Sequence, residues 1–175
     1  MKQTVRKFKR QGGFTMIEVI SVLVIIAIIG AVAVSRVSSI SQSTLKANAE
    51  RLKAHLRYAQ LRALNSTERV WGIDFSGGSY YQLFYSLASD TGASNVHYVT
   101  FPGGEGSNID LSKSNTTITF GGNPLSFDTW GKPYKNLRAN FDSPVQQDAD
   151  RIISLSDSKG NTETITITRN TGYIP

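Results

Sequence analysis

Hydrophobic positions divide the chain at about residue 65. From Phe14 to Val34 the residues are apolar on every side of any helix they form, broken only by Thr15, Glu18, Ser21 and Gly30. That stretch matches the roughly 20 residues needed to cross a hydrocarbon core about 30 Å thick. Beyond Arg36 the pattern becomes one-sided. Leu45, Ala49, Leu52, Leu56, Ala59 and Ala63 recur at intervals of four and three, with Lys46, Glu50, Arg51, Lys53, Arg57 and Arg62 off the stripe. No Pro lies between Phe14 and Asn65, so the pattern predicts one continuous helix of roughly 50 residues, about 75 Å at 1.5 Å per residue. Its first half suits lipid or a bundle of like helices, and its second half suits packing on a domain.

After Asn65 the period shortens to two. "RVWGIDF" and "YYQLFYSL" flank Ser76-Gly77-Gly78-Ser79 and read as a hairpin, and "RIISLSD" and "TETITITRN" flank Ser158-Lys159-Gly160-Asn161 as another. "TTITF" and "LSFDTWGKPY" add further strands, and no second helical pattern follows. The expected fold is α+β: a long N-terminal helix whose second half covers a C-terminal antiparallel sheet. The Gly-, Ser- and Asn-rich segment from Ala88 to Ser114 reads as a long surface loop with one strand at Val96–Phe101 and no chemistry. Four regions result: a leader (1–13), an apolar helix (14–34), an amphipathic helix (35–65) and a β domain (66–175).

Charge changes the picture less than its total implies. The formal net charge is +6, but Lys2, Arg6, Lys7, Lys9 and Arg10 all precede residue 11. Without the leader, fourteen basic side chains face thirteen acidic ones, so the basic character belongs to the leader and not to a binding face. A chain without Cys has neither a disulfide framework nor a thiolate metal site.

The N-terminus admits two readings. One is an export signal with a basic region, an apolar region and a small-x-small cleavage site at Ala31-Val32-Ala33, leaving a soluble β domain. The other follows from "GGFTMIEV" and the apolar run behind it, which resembles the signal of type IV prepilins and type II secretion pseudopilins. The resemblance implies cleavage by a prepilin peptidase between Gly13 and Phe14, N-methylation of Phe14, and retention of the helix. It also implies that Glu18, the fifth residue of the mature chain, meets the N-terminal amine of a neighbouring subunit during assembly. An acid at the centre of a membrane helix costs about 2.5–3.5 kcal/mol, less near its end, and in a discarded signal nothing offsets that cost. A new α-amine nearby does offset it, in part.

Further along, "LRYAQLRALNSTERVWGIDF", "FDTWGKP" and "TITITRNTGYI" resemble minor subunits of the H-type pseudopilin, MSHA-type and FimT-like group. Many major pilins of the family carry Pro where this chain has Ser35. The resemblance implies a pilin-like fold, insertion in the bacterial inner membrane with the β domain in the periplasm, and assembly into a pilus or pseudopilus. Its implied partners are the peptidase, other subunits through the helix, the assembly platform and, before assembly, membrane lipid. The expected role is structural, in initiating or capping a filament.

Catalytic candidates are few. His55 and His97 have no acid at ligand spacing, "GGEGSN" lacks the Lys and following helix of a phosphate loop, and Asp142, Asp148 and Asp150 read as solvated loop acids before they read as Ca²⁺ ligands. No cofactor, metal or catalytic nucleophile is expected. FimT-like relatives include DNA-uptake receptors, so Arg138, beside Tyr134 and Lys135, and Arg169 are the candidate phosphate contacts. A near-neutral mature chain and a tail with one Arg argue against that use.

Overall fold

The computed structural model describes residues 13–75, 77–87, 96–135 and 149–175, with the side chains of 33–40 and 135 left undescribed. A single helix, α1, spans Met16–Leu64. Among the described residues nine strands follow: β1 (Arg69–Asp74), β2 (Tyr80–Leu87), β3 (His97–Val99), β4 (Asn108–Asp110), β5 (Thr116–Phe120), β6 (Leu125–Phe127), β7 (Pro133–Lys135), β8 (Arg151–Asp157) and β9 (Thr162–Ile167). By packing the chain forms two units, residues 1–39 and 40–175.

In the first unit the described side chains of α1 are exposed all round, from Met16 at 83% to Val32 at 54%. Nothing among the described residues of the unit buries them. Among the described residues no helix is long and apolar enough to cross a membrane; the expected span, 14–34, runs two residues past Val32, after which the side chains of 33–40 are not described.

The second unit has its own core. All six residues of the predicted stripe, Leu45 through Ala63, are buried, and Leu52, Leu56, Ala59 and Ala63 show no exposed surface. Each fully buried Leu contributes roughly 2–3 kcal/mol of transfer free energy. The helix ends where Asn65 turns its backbone N–H and its side-chain amide onto the Leu61 carbonyl, and Ser66 N–H takes that of Ala63. These bonds satisfy carbonyls that the helix itself leaves open.

The strands form two antiparallel sheets. The larger has the order β3-β2-β1-β6-β7, with β4 also on β2. β2 pairs with β1 through residues 82–87, while its other edge serves β4 at Tyr80–Gln82 and β3 at Leu83–Tyr85. The smaller sheet has the order β5-β8-β9. Ile153, Leu155, Ile165 and Ile167 enter the core from it at alternate positions, with Ser154 and Thr166 between them. The larger sheet contributes Trp71, Ile73, Tyr81, Leu83, Leu125 and Phe127. Gly72, on the opposite face of β1, lies under the Phe84 ring, 2.7 Å from where a Cβ would stand and close to the Leu125 carbonyl, so only glycine fits.

One helix side chain reaches both sheets. Gln60 Nε2 donates to the carbonyl of Gly131, between β6 and β7, at 2.9 Å, and to that of Gly172, after β9, at 3.0 Å. Arg57 Nη2 adds a bond to the Ile174 carbonyl at 3.1 Å.

The segment read as a surface loop is more ordered than its composition implies. The expected strand is present as β3, and β4 and the 3-10 turn Pro102–Gly104 follow it. Phe101, Ile109 and Leu111 are buried, so this part of the segment is core and not loop surface. Residues 88–95 lie outside the described residues.

Candidate functional site

The first helical turn holds the residues singled out by the N-terminal pattern. Gly13, Phe14 and Thr15 precede the helix, and Phe14 is 82% exposed. A Cβ on Gly13 would meet nothing within 4 Å. The 13–14 peptide is therefore open to an enzyme, and this fold places no demand of its own for glycine at 13.

Thr15 caps the helix. Its carbonyl accepts from Glu18 N–H at 3.1 Å and Val19 N–H at 3.3 Å, and its hydroxyl oxygen lies 3.4 Å from Glu18 N. Thr15 and Glu18 stand in the S/T-x-x-E relation of a capping box. An acid there is also favoured by the positive end of the helix dipole. The Thr15 cap is not among the sequence expectations, although the spacing that reveals it is in the sequence. Ser21, the other polar residue, bonds the Ile17 carbonyl at 2.7 Å, so its hydroxyl is satisfied within the helix. What remains is an apolar rod with one carboxylate in its first turn.

His55 is a buried histidine in the second unit, 6% exposed. Its Nδ1 lies 2.9 Å from the Tyr81 hydroxyl, its ring stacks on Phe101 at 4.1 Å, and its Nε2 lies 3.1 Å from Glu105 Oε2. Arg51 reaches the same carboxylate oxygen at 2.8 Å. Burial pushes the imidazole below its ordinary value, against the opposing pull of Glu105, and the bond from Arg51 holds the Glu105 carboxyl below its own. The "GGEGSN" turn thus anchors its segment to the helix. His97 is exposed and stacks on Tyr85 at 4.9 Å.

The other candidates do not gather. Arg138, Asp142 and Asp148 lie outside the described residues. Asp150 accepts a hydrogen bond from the backbone N–H of Arg169 at 3.0 Å, which places a carboxylate beside that candidate phosphate contact. Among the described residues no group of three or more His, Cys, Asp and Glu side chains is arranged to hold a metal ion.

Residues 8–34 match the family described as the prokaryotic N-terminal methylation motif, a span that contains Gly13, Phe14 and Glu18. The fold is similar to that of the minor pseudopilin EpsH from the type 2 secretion system of Vibrio cholerae. The TM-score is 0.50 at 14% identity, over 74% of this chain and 93% of that one. No curated protein matches the sequence.

Proposed function

We infer that a chain with the prokaryotic N-terminal methylation motif on the fold of a minor pseudopilin is itself a subunit of the type IV pilin and pseudopilin family. Its role is structural. A prepilin peptidase cuts the exposed bond between Gly13 and Phe14 and methylates the new terminus. The apolar helix then holds the subunit in the inner membrane, with the β domain in the periplasm, until it joins a pilus or pseudopilus as a minor component that initiates or caps it.

The observation that carries this reading is the junction itself: an exposed Gly13–Phe14 peptide directly ahead of a helix whose first half is apolar on all sides and carries one acid, in its first turn. An exposed apolar rod is unstable in water and finds cover in lipid or among like helices. Glu18 selects between those surroundings, because in a filament a neighbour's freed amine meets it and in lipid nothing does.

Mass spectrometry of the product, after co-expression with a prepilin peptidase, tests the assignment. The expected N-terminus is N-methylated Phe14. A start near Val34 would instead identify a discarded export signal. Gly13→Leu is expected to accumulate as full-length precursor with unchanged circular dichroism, since the fold leaves space at that position.

A further inference from the structure

Where α1 gives way to β1, the second unit carries a cleft of about 330 Å³. Its walls come from Arg62 in the last helical turn, from Ser66, Thr67 and Glu68 in the connection, and from Arg69 and Trp71 at the start of β1. The size is that of a site for a small ligand or a single side chain.

Both guanidinium groups are positioned by rings. Arg62 Cζ lies 4.4 Å from the Trp71 ring centroid, and Arg69 Cζ lies 4.6 Å from that of Tyr85. Trp71 and Tyr85 are themselves cross-strand partners with rings 5.3 Å apart, and Tyr85 stacks on His97 of the next strand. A guanidinium over a ring engages the ring through its flat face, and its N–H edge stays free to donate. Among the described residues neither Arg62 nor Arg69 is in an ion pair, even with Glu68 in the same wall. The helix end is negative in its dipole, but the Asn65 and Ser66 bonds already occupy the carbonyls of Leu61 and Ala63. Two cations against one anion leave the cleft positive.

We propose that this cleft is a binding subsite for an oxyanion, a carboxylate or a phosphate, taken by the N–H edges of Arg62 and Arg69 with the hydroxyls of Ser66 and Thr67 as further donors. Two fork-shaped donors fixed before the ligand arrives match the planar or tetrahedral oxygens of such a group and lose little freedom on binding it.

Fluorescence of Trp71 provides the test, using the full chain in an uncharged maltoside detergent with Trp130→Phe to remove the other indole. Inorganic phosphate and N-acetyl-aspartate are titrated separately, each against sodium chloride at equal ionic strength. A saturable change with either anion that chloride does not reproduce is the expected result, and the anion that saturates identifies the source. Arg62→Gln and Arg69→Gln should each raise the dissociation constant about tenfold, a loss of about 1.4 kcal/mol. Arg69→Lys, which keeps the charge and loses the fork, should weaken binding as well while its thermal midpoint confirms an intact fold. No saturable change with either anion, or saturation unaltered in the folded Arg69→Lys chain, would overturn the proposal: the guanidinium groups would then only cover their rings.

Discussion

His55 Nδ1 and the Tyr81 hydroxyl share a hydrogen bond of 2.9 Å beneath the ring of Phe101, joining the helix to the larger sheet in the buried core. Burial pushes the imidazole below its ordinary value and outweighs the opposing pull of the Glu105 carboxylate, so this setting favours the neutral form. Burial also pushes the Tyr81 hydroxyl upward, which keeps it a donor at any ordinary pH.

Acid should therefore weaken the fold through His55. The folded imidazole lies below its ordinary 6.5, so folding favours the neutral form. Its contribution is complete above about 6.5 and is lost as the pH falls from there toward the folded value. The thermal midpoint should drop between about pH 7 and about pH 5 more steeply in the native chain than in His55→Gln. Equal slopes would remove His55 as the cause.

A second, more acidic transition belongs to Asp157. Its carboxylate accepts from the Ser41 hydroxyl at 2.7 Å, from the Asn161 amide at 2.7 Å, and from the backbone N–H groups of Lys159 and Asn161 at 2.9 Å. These donors, the Asn161 side chain first, hold it down to about 2 from 3.8. Stability from this group is whole above 3.8 and is lost as the pH falls toward 2. Asp157→Asn should flatten that part of the acid-unfolding curve, as followed by circular dichroism.

Packing under the helix should dominate the response to truncation. Leu52 has no exposed surface and Leu61 is 55% exposed on the same helix. Leu52→Ala is expected to lower unfolding free energy by about 2–5 kcal/mol, and Leu61→Ala by no more than about 0.5 kcal/mol. Urea unfolding in detergent measures both, and a similar cost for the two would contradict the burial described.

Glu18 combines a proposed role in assembly with a place in the first turn of α1, and a single substitution separates the two. Glu18→Gln keeps a side chain able to complete the capping box and removes the charge. If the charge meets a neighbour's amine, the variant should insert in the membrane with native helix content and enter filaments about tenfold less well, a loss of about 1.4 kcal/mol. Incorporation at the native level, measured by quantitative immunoblotting of sheared filaments, would leave capping as the residue's whole role.

The sequence carried local information well and distant pairings poorly. The six-residue stripe on α1 was legible because burial on one side of a helix repeats every three or four positions, and all six residues are buried. Both hairpin turns were legible from glycine and polar residues between alternating runs. Glu105 was not, since its partners Arg51 and His55 lie some fifty positions away and no local period links them. The division into two sheets was hidden for the same reason, as β6 returns to β1 past β5. Within 88–114 the composition pointed to surface, yet Phe101, Ile109 and Leu111 are spaced as isolated anchors that only a facing core reveals. The Thr15–Glu18 cap was present in four consecutive residues and went unread because the acid's place in an apolar run drew the explanation elsewhere.

Gln60 turns the helix into a shared tether. Its amide grips the carbonyls of Gly131, in the β6–β7 turn of the larger sheet, and Gly172, in the tail that follows β9 of the smaller one. A pull on this part of α1 would therefore reach both sheets through a single side chain.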